Sequence, residues 1–142
     1  MIYISILCWT LAAVCNAVMD TLADKPHFDQ SIFYRFNPDF WLKTDSWDNK
    51  YNDIDGDGEG DVKGGFKYKG IFRILNNLLD AWHIFQSSMI VLLATSVVIM
   101  FNHTENLNIF NQAWLNIPAW LLIYGTLWNI AFSLFYDTIL KK

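Results

Sequence analysis

Uncharged, apolar residues fill three long stretches of the chain, and polar residues fill the rest. Residues 1–19 carry no charged side chain, residues 84–101 form an uncharged run of eighteen, and residues 117–136 form an apolar run of twenty. A helix needs about 20 mostly apolar residues to cross a bilayer. The pattern therefore predicts an all-α integral membrane protein, a three-helix bundle with spans at about 1–22, 80–101 and 117–136 and a loop insertion at about 23–79.

The first apolar run has a second interpretation, because a secretory signal peptide also contains an apolar stretch. Ala13 and Ala17 offer a weak small-residue cleavage site. A signal peptide has Lys or Arg ahead of its apolar stretch, however, and none precedes this one. We therefore favour a retained transmembrane helix.

Composition supports one small membrane domain and narrows the expected partners. Of the 142 residues, 54% are hydrophobic, which is too apolar for an ordinary soluble domain. The formal net charge of −4 leaves no basic excess to neutralise phosphates, so nucleic acid is not an expected partner. The expected partners are membrane lipid and either further copies in a homo-oligomer or the subunits of a larger membrane complex.

Basic residues are confined to one side of the predicted topology. Three spans place the insertion and the C-terminus on one side, and the N-terminus with the turn at 102–116 on the other. All ten Lys and Arg residues fall on the first side. Because basic residues near span ends are retained in the cytoplasm, the sequence predicts a cytoplasmic insertion and C-terminus and an outside N-terminus.

The insertion divides into parts of different character. Residues 27–51 are rich in aromatic side chains between single charges, a mixture that suits short helices at the level of the lipid headgroups. A small folded cap with its own core is the alternative interpretation. Residues 70–79 form an apolar, helical lead-in to the second span.

Between these parts lies an acidic, glycine-rich tract that resembles the start of an EF-hand calcium loop. In such a loop, alternating oxygen ligands wrap the ion and a glycine at the sixth position makes the sharp turn. With Asp53 first, Gly58 takes the sixth position, but Gly64 stands where a closing glutamate should be. Calcium binding and a solvated acidic hairpin tip are therefore both open. The acidic residues are Asp53, Asp55, Asp57, Glu59 and Asp61.

Polar side chains recur at helical spacing near the predicted cytoplasmic end of each span. Because residues three or four apart share a helical face, a packed bundle can gather these stripes into one pocket. The stripes are Asn16, Asp20 and Asp24; Asp80, His83 and Ser87; and Asn129, Ser133 and Asp137.

An acid and a histidine at i and i+3 form a recurring pattern by which helices hold a divalent metal. A mixed site of carboxylate oxygen and imidazole nitrogen suits manganese, iron or zinc. We therefore predict a metal site, with calcium at the acidic tract as a less favoured alternative. The predicted ligands are Asp20, Asp24, His27, Asp80 and His83.

Two classes of function are compatible with this pattern. A metal that activates water indicates a metal-dependent hydrolase or transferase on a lipid-like substrate. Alternatively, Asp80 caps the second span, His83 reaches the interface and Asn129 joins helices in a non-catalytic component, such as a phage membrane protein, a lysis protein or a small subunit. In the first class, the residues expected to contact substrate or headgroup are Arg35, Lys50, Asn129 and Asp137.

Several short motifs together resemble a group of short, polytopic membrane proteins from bacteria and phages. The resemblance covers the first two thirds of the chain and implies no particular activity. It does imply that residues 46–51 belong beside the predicted metal ligands. The motifs lie at residues 16–20, 31–33, 37–41, 46–51 and 80–83.

Overall fold

The computed structural model describes residues 2–58, 60–102 and 108–142, and 75% of the structure is helical. The α-helices in chain order are α1 (Ile2–Thr21), α2 (Lys25–Asp29), α3 (Pro38–Trp41), α4 (Lys43–Ser46), α5 (Ala81–Asn102) and α6 (Ala113–Leu134). Short 3-10 segments lie at Ile32–Arg35, Trp47–Lys50, Val62–Gly64 and Gly70–Leu78, and a π-helical turn at Phe135–Ile139 follows α6.

Three helices are long and apolar enough to cross a membrane: Ile2–Thr21, Ala81–Asn102 and Trp114–Ile139. They confirm the predicted all-α fold with three spans. The third begins earlier than predicted, so Pro118 lies inside α6 instead of in its first turn. The first four N–H groups of a helix have no partner within it, so Pro118, as the sixth residue, removes only one intrahelical hydrogen bond.

The first span, α1, lies between the other two and packs against both α5 and α6. A buried polar contact joins all three helices, because the Ser5 hydroxyl lies 2.9 Å from the Ser96 hydroxyl and 2.7 Å from that of Tyr124. Trp9 also donates its indole N–H to the backbone carbonyl of Tyr124 at 3.0 Å. Hydroxyl groups in an apolar bundle need such partners, so this contact fixes the register of the three helices.

The aromatic first half of the insertion forms a folded cap on one end of the bundle. Its short helices were predicted, but its core is shared with the spans. Side chains from the cap pack with others from the ends of α1, α5 and the C-terminal turn. The buried members are Ala17, Val18, Leu22, Phe28, Phe33, Leu42, Ala81 and Leu140.

The C-terminal residues are paired with the cap by backbone hydrogen bonds. The Ile32 N–H donates to the Leu140 carbonyl, and the Lys142 N–H donates to the Gln30 carbonyl, both at 2.8 Å. The insertion and the C-terminus therefore lie at the same end of the bundle, as the three-span topology requires.

The acidic tract forms the tip of a short hairpin that closes on the cap. Tyr51 and Phe66 form an antiparallel bridge, and the Asn52 N–H donates to the Gly65 carbonyl at 3.0 Å. Gly60 lies so close to the backbone of Asp48 that a Cβ would overlap its carbonyl oxygen. With Asp53 first, Gly60 takes the eighth position of the loop, and this packing explains why that position is a glycine.

Candidate functional site

Asp80 and His83 meet at the start of α5, at the membrane end that carries the cap. One carboxylate oxygen of Asp80 accepts a hydrogen bond from the backbone N–H of His83 at 2.8 Å and lies 2.8 Å from the His83 Nδ1. The first contact is that of an N-capping acid, which satisfies one of the free N–H groups at a helix start. The capping role that the sequence offered for Asp80 is therefore confirmed.

Asp24 and His27 repeat this arrangement at the start of α2. The Asp24 carboxylate accepts from the backbone N–H of His27 at 3.1 Å and lies 2.7 Å from its Nδ1. These two hydrogen bonds lower the pKa of Asp24, and the bond from the backbone N–H contributes more than the bond from the side chain. Both side chains of this pair are about half exposed, at 49% and 50%. The acid-x-x-His spacing is thus a helix cap at both places, one exposed and one buried.

Lys50 distinguishes the buried cap from the exposed one. Its ammonium Nζ lies 3.2 Å from the second carboxylate oxygen of Asp80 and 2.9 Å from both ring nitrogens of His83. If Nδ1 carries the His83 proton and donates it to Asp80, Nε2 is free to accept from Lys50. In that arrangement Lys50 donates to His83 and compensates the charge of Asp80, whose Oδ2 lies 3.2 Å from the ammonium but has no hydrogen-bond partner among the described residues.

This cluster is buried to a degree that is unusual for charged groups. The side chains of Lys50 and Asp80 are 4% and 2% exposed, and that of His83 is 15% exposed. The Trp47 ring lies 4.4 Å below the Lys50 ammonium, which adds a cation–π contact. Ser46, the last residue of α4, has a buried hydroxyl without a hydrogen-bond partner among the described residues.

The predicted five-ligand metal site is divided in the structure. Asp80 and His83 form one pair with Lys50, whereas Asp24 and His27 form another on α2. Asp20 is exposed at the end of α1. Among the described residues, the side chains that lie close enough together to share a metal are instead three carboxylates of the acidic tract: Asp53, Asp55 and Asp61.

The residues predicted to contact a headgroup also differ in their surroundings. Lys50 is buried in the cluster, so it does not reach a lipid headgroup in this arrangement. Arg35 is exposed and donates to the Tyr34 hydroxyl. Asp137 pairs with Lys141 at 3.1 Å, and Asn129 is exposed on α6. The polar stripe of the third span therefore does not join the Lys50 cluster.

The acidic hairpin brings three carboxylates together. Atoms of Asp53, Asp55 and Asp61 lie within 4.8 Å of one another. Two backbone N–H groups orient Asp53, because Gly56 and Gly58 donate to its carboxylate oxygens at 2.6 and 3.0 Å. The same two bonds hold the pKa of Asp53 below its usual range.

The positions of the remaining acids in the tract differ. Asp57 lines a polar cleft of about 470 Å³ beside the hairpin, together with acids of the cap. The other acids of this cleft are Asp39, Asp45 and Asp48. Glu59, the fourth predicted residue of the calcium-like loop, lies outside the described residues.

Lys50 was predicted to contact a lipid headgroup, and neither its charge nor its spacing indicates a contact with Asp80, because 29 residues separate the two. The signal that pointed to this contact was the resemblance, whose motifs at 46–51 and 80–83 carry both partners. Ser46 and Trp47 lie in the same motif.

Comparison of the chain with protein-family models, curated proteins and solved structures gives no match. The class of the protein therefore rests on its own structure. With three apolar helices of sufficient length and a cap on one end of their bundle, it is a multi-pass membrane protein.

Proposed function

We propose that the protein is a non-catalytic membrane component whose insertion forms a fixed cap on one face of the bilayer. The observation that carries this proposal is the position of Lys50, whose ammonium pairs with Asp80 and His83 at 2.9 to 3.2 Å. This contact ties the insertion to the start of α5. A phage membrane protein or a small subunit of a larger complex fits such a role.

The same contact weighs against the enzyme hypothesis. A transition metal would need the carboxylate oxygens of Asp80 and a ring nitrogen of His83, whereas a cationic ammonium already lies 3.2 Å from Oδ2 of Asp80 and 2.9 Å from the His83 nitrogens. The exposed pair of Asp24 and His27 further shows that the acid-x-x-His spacing serves as a cap without a lysine partner. A helix cap therefore explains the acid-x-x-His spacing by itself, whereas a metal site would require further ligands.

The metal content of the purified protein tests this proposal. After incubation with manganese, iron and zinc and removal of unbound ions, elemental analysis should find no stoichiometric transition metal. A stoichiometric metal that is lost in both Asp80→Asn and His83→Ala, but retained in Asp24→Asn, would establish the metal site and overturn the structural role.

We also propose that the insertion and the C-terminus are cytoplasmic. The supporting observation is that all ten basic residues lie at the cap end of the three spans, where the C-terminus pairs with the cap. Because basic residues near span ends stay on the cytoplasmic side, this charge distribution favours one orientation.

A second function is favoured by the acidic hairpin. We propose that Asp53, Asp55 and Asp61 hold a divalent cation weakly, with calcium as the best fit to an all-oxygen set. Without a cation, three carboxylates in such close reach repel one another. Their convergence and the acidic cleft beside them therefore support a cation-binding tip on the cap.

Calorimetric titration of the detergent-solubilised protein with calcium tests this second proposal. The affinity should be weak, because no glutamate closes the site, and Asp61→Asn should abolish it. Asp29→Asn removes an exposed acid outside the hairpin and serves as the matched control. Equal calcium affinity in Asp61→Asn and the control would show that calcium binds elsewhere.

A further inference from the structure

The hairpin separates two segments of opposite charge. Residues 53–61 hold five acids and no basic residue, whereas residues 62–79 hold four basic residues and no acid. We call residues 62–79 the basic segment. Its positive charges are Lys63, Lys67, Lys69 and Arg73. Its last residue lies one position before Asp80, so it leads directly into the second span.

The basic segment also exposes large apolar side chains to an unusual degree. Ile71 is 87% exposed, Phe72 59% and Leu78 54%. Val62 and Tyr68 are exposed by 64% and 41%. Exposed large apolar side chains that cluster outside the membrane-spanning helices mark surfaces that a membrane or a partner covers.

A buried side-chain amide holds the segment in this shape. Asn76, 2% exposed, accepts from the Tyr68 N–H at 3.1 Å and donates to the Tyr68 carbonyl at 2.9 Å. These two bonds join the ends of residues 68–76, so the 3-10 segment Gly70–Leu78 is held against the preceding chain while its residues Ile71 and Phe72 stay exposed. The exposed side chains therefore belong to a hydrogen-bonded segment.

We propose that the basic segment is a docking surface for anionic lipid in the leaflet that α5 enters. Continuity supports this partner, because Leu78 lies three residues before the first residue of α5. Charge complementarity supports it as well, since Lys63, Lys67 and Lys69 are all exposed and no acid interrupts them. Apolar side chains can then enter the interface while the lysines meet headgroup phosphates.

This surface adjoins the Lys50 cluster, since the Lys67 N–H donates to the Lys50 carbonyl at 2.8 Å, but binding of lipid by its exposed side chains goes beyond the structural role of that cluster. The lysines provide selectivity for anionic lipid, because each one near an anionic surface contributes roughly fivefold to partitioning. The apolar side chains provide an affinity that does not depend on lipid charge. The two contributions can therefore be distinguished by changing the lipid and the lysines independently.

The test uses the full chain in vesicles, with Cys8 and Cys15 replaced by Ala and one fluorophore on a cysteine at Ile71→Cys. The vesicles contain a nitroxide-labelled phosphatidylcholine that quenches fluorophores near the acyl chains. We expect strong quenching in vesicles that also contain phosphatidylserine and weaker quenching in phosphatidylcholine alone. A fluorophore at Ile54→Cys, on the acidic hairpin, should not be quenched in either membrane.

The lysines are tested by the triple variant Lys63→Gln, Lys67→Gln and Lys69→Gln. It should lower the preference for phosphatidylserine by roughly 100-fold, which is three lysines at roughly fivefold each, and so reduce quenching to the phosphatidylcholine level. The triple variant Lys25→Gln, Lys141→Gln and Lys142→Gln removes the same charge from other exposed sites and should leave quenching unchanged.

Two results would overturn the proposal. Absence of quenching at position 71 in both membranes would show that the segment does not dock on lipid. Equal quenching in both membranes, unaffected by the Lys63, Lys67 and Lys69 changes, would show that docking is apolar and has no selectivity for anionic lipid.

Discussion

Lys50 and Asp80 form a buried ion pair, with Nζ and Oδ2 3.2 Å apart, between the cap and the start of the second span. Removing one partner of a buried pair leaves the other charge without compensation, and that is more destabilising than replacing both. The pair therefore behaves as a unit, and its strength can be measured by a double-mutant cycle.

Lys50→Met should destabilise the protein by roughly 3–5 kcal/mol, because it leaves Asp80 buried and unpaired. Asp80→Asn should be costly for the same reason, and the double variant should cost less than the sum of the two. The measurement is denaturant unfolding of the detergent-solubilised protein.

The exposed cap supplies the control for this cycle. Asp24→Asn changes an acid with the same capping contacts but no lysine partner, so it should cost at most about 1 kcal/mol. Equal destabilisation by Asp24→Asn and Asp80→Asn would show that Lys50 adds nothing to the cap.

Ser5 should contribute to the packing of the three spans. Ser5→Ala removes the hydroxyl that joins Ser96 and Tyr124, and we expect a loss of roughly 0.6–1.7 kcal/mol. Thr10→Val is the matched control, since the Thr10 hydroxyl donates only within its own helix, to the Ile6 carbonyl. Unfolding in the same detergent should show a smaller loss for Thr10→Val, and the reverse order would contradict the interhelical role of Ser5.

The acidic hairpin should respond to pH through Asp53. Its lowered pKa means that the fold favours the carboxylate, so the turn is stabilised above the ordinary pKa of about 3.9 and loses this contribution as pH falls through the lower value. The amide NMR signals of Gly56 and Gly58 should shift with a midpoint below about 3.9. Asp53→Asn should abolish this transition, and a midpoint above the ordinary value would contradict the assigned hydrogen bonds.

The orientation of the chain is tested by cysteine labelling in cells, with Cys8 and Cys15 replaced by Ala. A membrane-impermeant reagent should label Asn106→Cys from outside and should not label Gly58→Cys. The opposite labelling would reverse the proposed orientation, and labelling of both positions only after permeabilisation would place neither outside.

The resemblance to short bacterial and phage membrane proteins stays a prediction. It implied that residues 46–51 lie beside the predicted metal ligands, which include Asp80 and His83. Lys50 lies against Asp80 and His83, and the Trp47 ring lies 6.1 Å from that of His83. Neither hydrophobic periodicity nor charge counting indicates this pairing.

The sequence by itself predicted the three spans and the short helices of residues 27–51, because both depend on local spacing and composition. It left the acidic tract open between a calcium loop and a hairpin tip. Its position directly before an apolar helix allowed Asp80 to be either a cap or the predicted metal ligand. Tertiary structure alone decided which polar groups meet. Lys50 reaches Asp80 and His83 only when the cap folds back on the bundle, while Asp24 and His27, with the same spacing, stay exposed on α2. The same acid-x-x-His spacing is therefore buried at one site and exposed at the other, because burial and charge pairing depend on contacts between residues that are distant in the chain.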